Sequence, residues 1–482
     1  MTVPALRLAS WHRGSDWSEL HVVVVGLGIA GFAAADALAS VGSDVLVVDR
    51  TDSDRQRERG TVLDVLGVRV ILGDEVVPDG TDLLVVSPGL APSAPTVLAA
   101  QARGITVWGE LELAWRLREP GAAPWLTISG TNGKTTTTLM LTAMLRAAGI
   151  RAEAVGNIGY SAVDAVMQGE VYGALAVEAA APQLPFVSSV SPLASVCLNF
   201  APDHVDLFGG VEAYRATKAR IYERTQVAAV YNVADEQTRA MVEQADVVEG
   251  CRAIGFTLGI PGPSMLGVVD GFLVDRAFIE GRRDSAQELA SFDDVVPFAL
   301  HNVENALAAA ALARAFGVEP AAVRQGLRDF VPAQHRIAAA GRVDGVTYVD
   351  DSKATNSHAA LSSLRSYQNV VWIAGGDAKG QQFDDLVVAV AQRLRGVVLL
   401  GADRALFSQA LARHAPQIPV VEVSRTDTGA MDDVVAAAAR LALPGDTVLL
   451  APACASWDMF TNYGQRGDLF AAAVAALPGG HA

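Results

Sequence analysis

Short apolar, β-branched runs alternate with longer Ala-rich stretches along most of this chain. His21–Val25, 45–48 and 82–86 are runs of the first kind, and 31–40 is a stretch of the second kind between the first two. Apolar runs without polar alternation predict strands buried on both faces, and their alternation with helices predicts parallel sheets. The pattern restarts at Trp125–Ser129 and continues through 174–177, 195–198 and 228–231, with an Ala-rich helix over 302–316. It restarts again with strands at 370–373, 397–400, 420–423 and Thr447–Leu450. Breaks rich in Pro and Gly fall at 119–124, and a second boundary at 331–335. The expectation is an α/β protein of three domains. Residues 1–120 form an N-terminal Rossmann-like domain, 121–333 a central P-loop ATPase-like parallel sheet, and 334–482 a C-terminal Rossmann-like domain.

Composition narrows the function classes. Net charge is −16 over 482 residues, which disfavours nucleic acid as a partner, since that would want a basic stripe. An anionic small molecule stays admissible, because a loop of backbone amides suffices to hold one. Three cysteines without metal-ligand spacing read as reduced and cytosolic. No apolar run reaches membrane-spanning length, and the first twenty residues lack the apolar centre of a signal peptide. A cytoplasmic monomer is the expectation.

Only four of the 37 basic residues are lysine: Lys134, Lys218, Lys353 and Lys379. An ammonium acts as a point charge on phosphate and, deprotonated, as a nucleophile, roles a guanidinium does not fill. Lys134 lies in Gly130-Thr131-Asn132-Gly133-Lys134-Thr135-Thr136, between a predicted strand and helix. Glycines let successive N–H groups face a phosphate, the lysine reaches the β/γ-phosphates, and the Thr135 hydroxyl touches Mg²⁺. The loop is a shortened variant, because the usual first glycine position is Ile128. Glu178 at a strand end and Asp203-His204 after the next strand are candidates for the same metal. Lys218 reads either as part of a solvated helix face or as a desolvated amine carbamylated by CO₂, able to bind a second Mg²⁺.

The N-terminal domain carries Gly26-Leu27-Gly28-Ile29-Ala30-Gly31 after a strand, with Asp49-Arg50 ending the next and Ser87-Pro88-Gly89 a third. This fingerprint marks a diphosphate without separating NAD from a UDP-sugar. An NAD-dependent oxidoreductase and a non-enzymatic nucleotide sensor therefore stay open at this point. In the last domain, Asp350-Asp351-Ser352-Lys353-Ala354-Thr355-Asn356, Gly375-Gly376-Asp377-Ala378-Lys379 and Ala451 to Ser456 each follow a predicted strand. Lysines and hydroxyls there suit a small dicarboxylate.

Together these motifs, with Gly156-Asn157-Ile158-Gly159, His301-Asn302-Val303-Glu304-Asn305, His335-Arg336 and Arg466-Gly467, resemble the Mur ligase family of peptidoglycan synthesis. The resemblance runs from about Val22 to Phe470. The Asp-Ser-Lys-Ala-Thr-Asn and Ala-Cys-Ala-Ser segments resemble the branch that adds D-glutamate. It implies an ATP-dependent amide ligase with UDP-N-acetylmuramoyl-L-alanine and D-glutamate as substrates. The UDP moiety would lie on Gly28, Ile29, Ala30, Asp49, Arg50, Ser87, Pro88 and Gly89. ATP would lie on Gly130 to Thr136, Asn302, Asn305, Arg336 and Asp351. Two Mg²⁺ ions would be held by Thr135, Glu178, His204 and a carbamylated Lys218. Lys134, Glu178, His204 and Lys218 would be the catalytic set. Asn157 would touch the muramoyl group, and Lys353, Thr355, Lys379, Ser456 and Phe460 would grip D-glutamate. A folylpolyglutamate-type ligase is the same-class alternative. One segment departs: Ala179-Ala180-Ala181-Pro182-Gln183 stands where the family shows Leu-Ser-Ser-Phe-Gln.

Overall fold

The computed structural model describes residues 8–169, 171–203 and 205–478. Three sheets follow one another along the chain. The first comprises β1 (His21–Val25), β2 (Asp44–Asp49), β3 (Arg69–Leu72), β4 (Leu83–Val86) and β5 (Thr106–Gly109) in the order β3-β2-β1-β4-β5. Every pairing in it is parallel. Strand order reverses at β1, and the helix Ile29–Ser40 follows the glycine loop at that point, where ligands of such sheets gather.

The central sheet comprises β6 (Trp125–Ser129), β7 (Ala152–Gly156), β8 (Ala174–Glu178), β9 (Ala194–Cys197), β10 (Ala228–Asn232), β11 (Arg252–Phe256), β12 (Met265–Val269), β13 (Phe272–Asp275) and β14 (Gln287–Ser291). Its order is β14-β13-β12-β11-β10-β9-β6-β8-β7. The predicted parallel pairing holds from β7 to β12, whereas β13 and β14 run antiparallel at the edge. β6 lies between β8 and β9, so the phosphate-type loop after β6 opens beside the ends of both. All five residues of β6 and of β8 are buried, as continuous apolar runs require when helices cover both faces.

The third sheet comprises β15 (Ala338–Val343), β16 (Val346–Asp350), β17 (Val370–Gly375), β18 (Leu394–Leu400), β19 (Val420–Glu422) and β20 (Thr447–Leu450), ordered β15-β16-β20-β17-β18-β19. β15 pairs antiparallel with β16 and the rest are parallel. The three motif loops of this region therefore leave the carboxyl ends of three adjacent strands, β16, β20 and β17.

The first two sheets belong to one compact unit, residues 1–295 with 303–330, and the third to another, 296–302 with 331–482. Within the first unit, Glu112 joins the two sheets. It accepts the Arg116 Nε–H at 2.8 Å, the N–H groups of Ser188 and Ser189 at 2.7 and 2.9 Å, and both serine hydroxyls at 2.8 and 2.7 Å. Burial alone would raise the Glu112 carboxyl, but these donors outweigh it and hold the group below its ordinary range. Among the described residues no helix is long and apolar enough to cross a membrane.

Candidate active site

The central loop takes the shape its glycines permit. Gly133 starts the helix Lys134–Ala147 in the left-handed region at φ +84°, and a Cβ there would lie 2.3 Å from Asn305 Oδ1. A side chain at 133 would be strained at that φ and would displace the Asn305 amide from the loop. Asn305 Oδ1 also accepts from Thr137 Oγ1 at 3.3 Å. Lys134 folds back over its own loop, its Nζ donating to the carbonyls of Gly130 and Thr131 at 2.9 and 3.0 Å.

The end of β8 meets this loop. Thr135 Oγ1 donates to Glu178 Oε2 at 2.8 Å, and Asn157 Nδ2 donates to Glu178 Oε1 at 3.0 Å. Asn157 is fixed in turn, its N–H donating to the Glu178 carbonyl at 2.9 Å. Three residues expected from sequence thus form one cluster, drawn from a helix start, a strand end and a loop. Lys218 closes the helix Val211–Ala219 and is 1% exposed. Burial, with the neighbouring Lys134 ammonium adding to it, pushes its amine down to about 7. The solvated-face alternative for Lys218 is thereby excluded. His204 lies outside the described residues.

Two residues that sequence reading missed position this site. Asn199, just past β9, accepts the N–H groups of Thr131 and Asn132 at 3.1 and 2.9 Å and returns a bond to the Asn132 carbonyl at 3.1 Å. Arg220, following Lys218, donates to the carbonyls of Pro185 and Val187 at 3.0 and 2.7 Å. It therefore braces the segment containing the departure at 179–182. That segment is well bonded: the Ala179 N–H reaches the Ile128 carbonyl at 2.9 Å, and Gln183 Oε1 accepts the Ala180 N–H at 2.9 Å. The backbone after Glu178 is thus held without side-chain hydroxyls at 180 and 181.

In the first sheet, the Asp49 carboxylate accepts the N–H groups of Leu27 and Thr51 at 2.6 and 2.8 Å, so it shapes the glycine loop directly. Ser87 Oγ donates to the Gly26 carbonyl at 3.1 Å, and Pro88-Gly89 continue that turn. Gly28 precedes the first helical turn, which carries Ile29 and Ala30, and no side chain caps it. Those amides are oriented to receive an anion. Arg50 is exposed, 3.5 Å from Glu75. Arg59, which no sequence motif singles out, donates to the Leu27 carbonyl at 2.8 Å.

In the second unit, Asn302 Nδ2 donates to the Pro297 carbonyl at 2.9 Å. Asp351 is buried and accepts the Ile337 N–H at 3.3 Å and the Ser363 hydroxyl; burial pushes its carboxyl up to about 6 despite these bonds and nearby Arg336. His335 Nδ1 is paired with Asp350 at 2.6 Å. Lys353 Nζ sits 3.9 Å from the Tyr463 ring centroid, and the Thr355 N–H bonds the Lys353 carbonyl at 2.8 Å. Lys379 and Ser456 lie on facing loops, because Asp377 and Ala455 exchange two backbone bonds of 3.0 and 2.9 Å. Phe460 is a correction. It is 5% exposed and packs in the core with Val371, Ile373 and Phe470, so it is not placed to grip a ligand. Tyr463, three residues on and 37% exposed, is the aromatic that lies against Lys353.

Arg466 locks the loops together. Fully buried, it donates to the Ser352 hydroxyl and carbonyl at 2.9 and 2.8 Å, and to the carbonyls of Cys454 and Ala455 at 3.2 and 3.3 Å. Cys454 is itself buried, which raises its thiol far above the ordinary range and removes it as a nucleophile.

Known proteins share this organisation. Residues 20–109 match the Mur ligase MurD-like N-terminal domain, 128–313 the Mur ligase middle domain, and 335–454 the Mur ligase glutamate ligase domain. A UDP-N-acetylmuramoylalanine–D-glutamate ligase of Streptomyces avermitilis is 59% identical over 96% of this chain and 99% of its own. One from Thermobifida fusca is 53% identical over 95% and 98%. Among solved structures, the UDP-N-acetylmuramate-alanine ligase MurC of Thermotoga maritima superimposes with a TM-score of 0.57 at 19% identity, covering 94% of this chain and 98% of that one. A pseudomurein peptide ligase type C from Methanothermus fervidus gives 0.58 at 16%, covering 94% and 99%. Those two likenesses carry the fold alone. With three family domains in order and end-to-end relatives above half identity, the chain belongs to the Mur ligase family.

Proposed function

We propose that this protein joins D-glutamate to UDP-N-acetylmuramoyl-L-alanine in an ATP-driven reaction through an acyl phosphate. The observation that carries this reading is the cluster in which Glu178 receives both the phosphate-loop Thr135 and Asn157. It places hard oxygen donors beside the loop that would hold a triphosphate. The relatives named above supply the substrate pair. On this reading residues 1–120 hold the UDP moiety, 121–333 the nucleotide and 334–482 the amino acid.

The residues suit Mg²⁺, since Thr135 and Glu178 offer oxygen ligands at a loop shaped for phosphate. Bound Mg²⁺ would neutralise phosphate charge, held by Thr135, Glu178, a carbamate on Lys218 and the imidazole of His204. The Lys218 amine, largely uncharged slightly above neutral pH, would attack CO₂; an N–C bond forms and one proton leaves, giving a carboxylate on the lysine arm. Lys134 would leave its loop carbonyls for the β/γ-phosphates and stabilise charge as the phosphoryl group moves to the substrate carboxylate. Asn157 would orient the muramoyl end. The neutral D-glutamate amine, positioned by Lys353, Thr355, Lys379 and Ser456, would attack the acyl carbon; the C–N bond forms, the C–O bond to phosphate breaks from the tetrahedral intermediate, and the amine's proton leaves with the phosphate.

Hydroxylamine trapping tests the intermediate. With ATP, Mg²⁺ and the UDP-substrate but no amino acid, a hydroxamate of that substrate is expected. Its absence while ADP still forms would contradict the acyl-phosphate route.

A further inference from the structure

Six of the seven tryptophans are buried or half-buried, whereas Trp457 is 70% exposed. Single exposed apolar residues are ordinary, so exposure alone assigns nothing. The surroundings of the ring do. Lys379 Nζ lies 5.0 Å from its centroid, and the backbone on both sides of the pair is braced. Besides the double bond between Asp377 and Ala455, Gly376 stands at φ +135°, where a Cβ would come 2.2 Å from the Ala455 carbonyl oxygen. Lys379 itself adopts φ +48°, uncommon for a side-chain-bearing residue, with its N–H on Asp377 Oδ1 at 3.0 Å.

The neighbouring acids Asp377, Asp403 and Asp458 each give one carboxylate oxygen to a backbone amide, and none forms an ion pair with the Lys379 ammonium among the described residues. Asp403 Oδ2 accepts the Ala378 N–H at 2.8 Å, and Asp458 Oδ2 accepts the Ala402 N–H at 2.8 Å. An ammonium held by an aromatic face is confined without being neutralised, because the ring offers a quadrupole rather than a counter-charge. An acidic partner at the same place would confine it equally but compete with an incoming carboxylate.

We propose that Trp457 is a positioning residue for the amino-acid substrate: its indole holds the Lys379 ammonium ready, charge intact, for a carboxylate of the acidic amino acid beside Ser456. This rests on the assignment of these loops to the amino-acid site given above.

The test uses the full-length chain with Trp457→Ala and Trp457→Phe, measuring KM for D-glutamate, KM for ATP, kcat and Tm. Trp457→Ala raises KM for D-glutamate about three- to fivefold, as loss of an exposed cation–π contact implies, with KM for ATP, kcat and Tm unchanged. Trp457→Phe, which keeps a ring, recovers most of the loss. D-glutamate also shifts the tryptophan emission of the wild type and not that of Trp457→Phe. An unchanged KM for D-glutamate in Trp457→Ala, or a rise shared equally by ATP, overturns the proposal. Wild-type turnover with a different amino acid instead of D-glutamate would overturn the substrate assignment, and the same KM comparison made with that amino acid would then decide the role of Trp457.

Discussion

The Thr135 hydroxyl donates to Glu178 Oε2 across 2.8 Å, tying the first turn of the phosphate-loop helix to the end of the neighbouring strand. The bond holds the carboxylate beside the loop before any nucleotide arrives. Thr135→Ser keeps the hydroxyl and should retain most activity. Thr135→Ala removes both the bond and an oxygen ligand, and kcat should fall about 100-fold, the scale of losing one charge-stabilising contact. Steady-state phosphate release checks both.

Lys218 gives a prediction with a defined sign. Its folded value of about 7 lies below the ordinary 10.5, so the unfolded chain binds the proton more readily between those values. The resulting penalty is absent above pH 10.5, grows as pH falls, and is complete below about 7. In CO₂-free buffer, Lys218→Met should therefore be more stable than wild type at pH 7, the difference vanishing near pH 10.5. Equal Tm values across that range would contradict a buried neutral amine. Separately, short carboxylic acids should partly restore activity to Lys218→Ala, and a complete lack of rescue would count against the carbamate.

Asn199 should act through loop shape. Asn199→Ala removes the side-chain acceptor of the Thr131 and Asn132 amides while the Thr131 N–H keeps its bond to the backbone carbonyl of residue 199, and KM for ATP should rise about tenfold, the effect of roughly one hydrogen bond to a buried loop. KM for the UDP-substrate should hardly move.

How far the sequence carried depends on what kind of signal each feature leaves. Gly133, Lys134, Thr135 and Glu178 were legible because their chemistry demands those residue types next to a strand end. Asn199 and Arg220 were not, because a side chain that braces another loop has no local spacing. The antiparallel edges were readable but unread: Asp270-Gly271 and Asp344-Gly345 join β12 to β13 and β15 to β16 as two-residue turns, all four residues at positive φ, a strong hairpin signal. Phe460 and Tyr463 are three residues apart, and only packing decides which one faces the core.

Glu112 tests the joint between the first two sheets. Glu112→Ala leaves the Arg116 charge and two serine amides buried without their acceptor, and unfolding in urea should show a loss of about 3–5 kcal/mol. Because the carboxyl is held low, its contribution is complete above its ordinary value of 4.5 and disappears as pH falls below that. Wild type and variant should therefore converge in acid.

The most direct measurement is phosphate release from ATP with Mg²⁺ and UDP-N-acetylmuramoyl-L-alanine, with amino acids added one at a time. Release that depends on D-glutamate and on no other amino acid is the predicted result. Intact ATP binding without release for any amino acid would contradict the account, and would point to the altered segment at 179–182 as the cause.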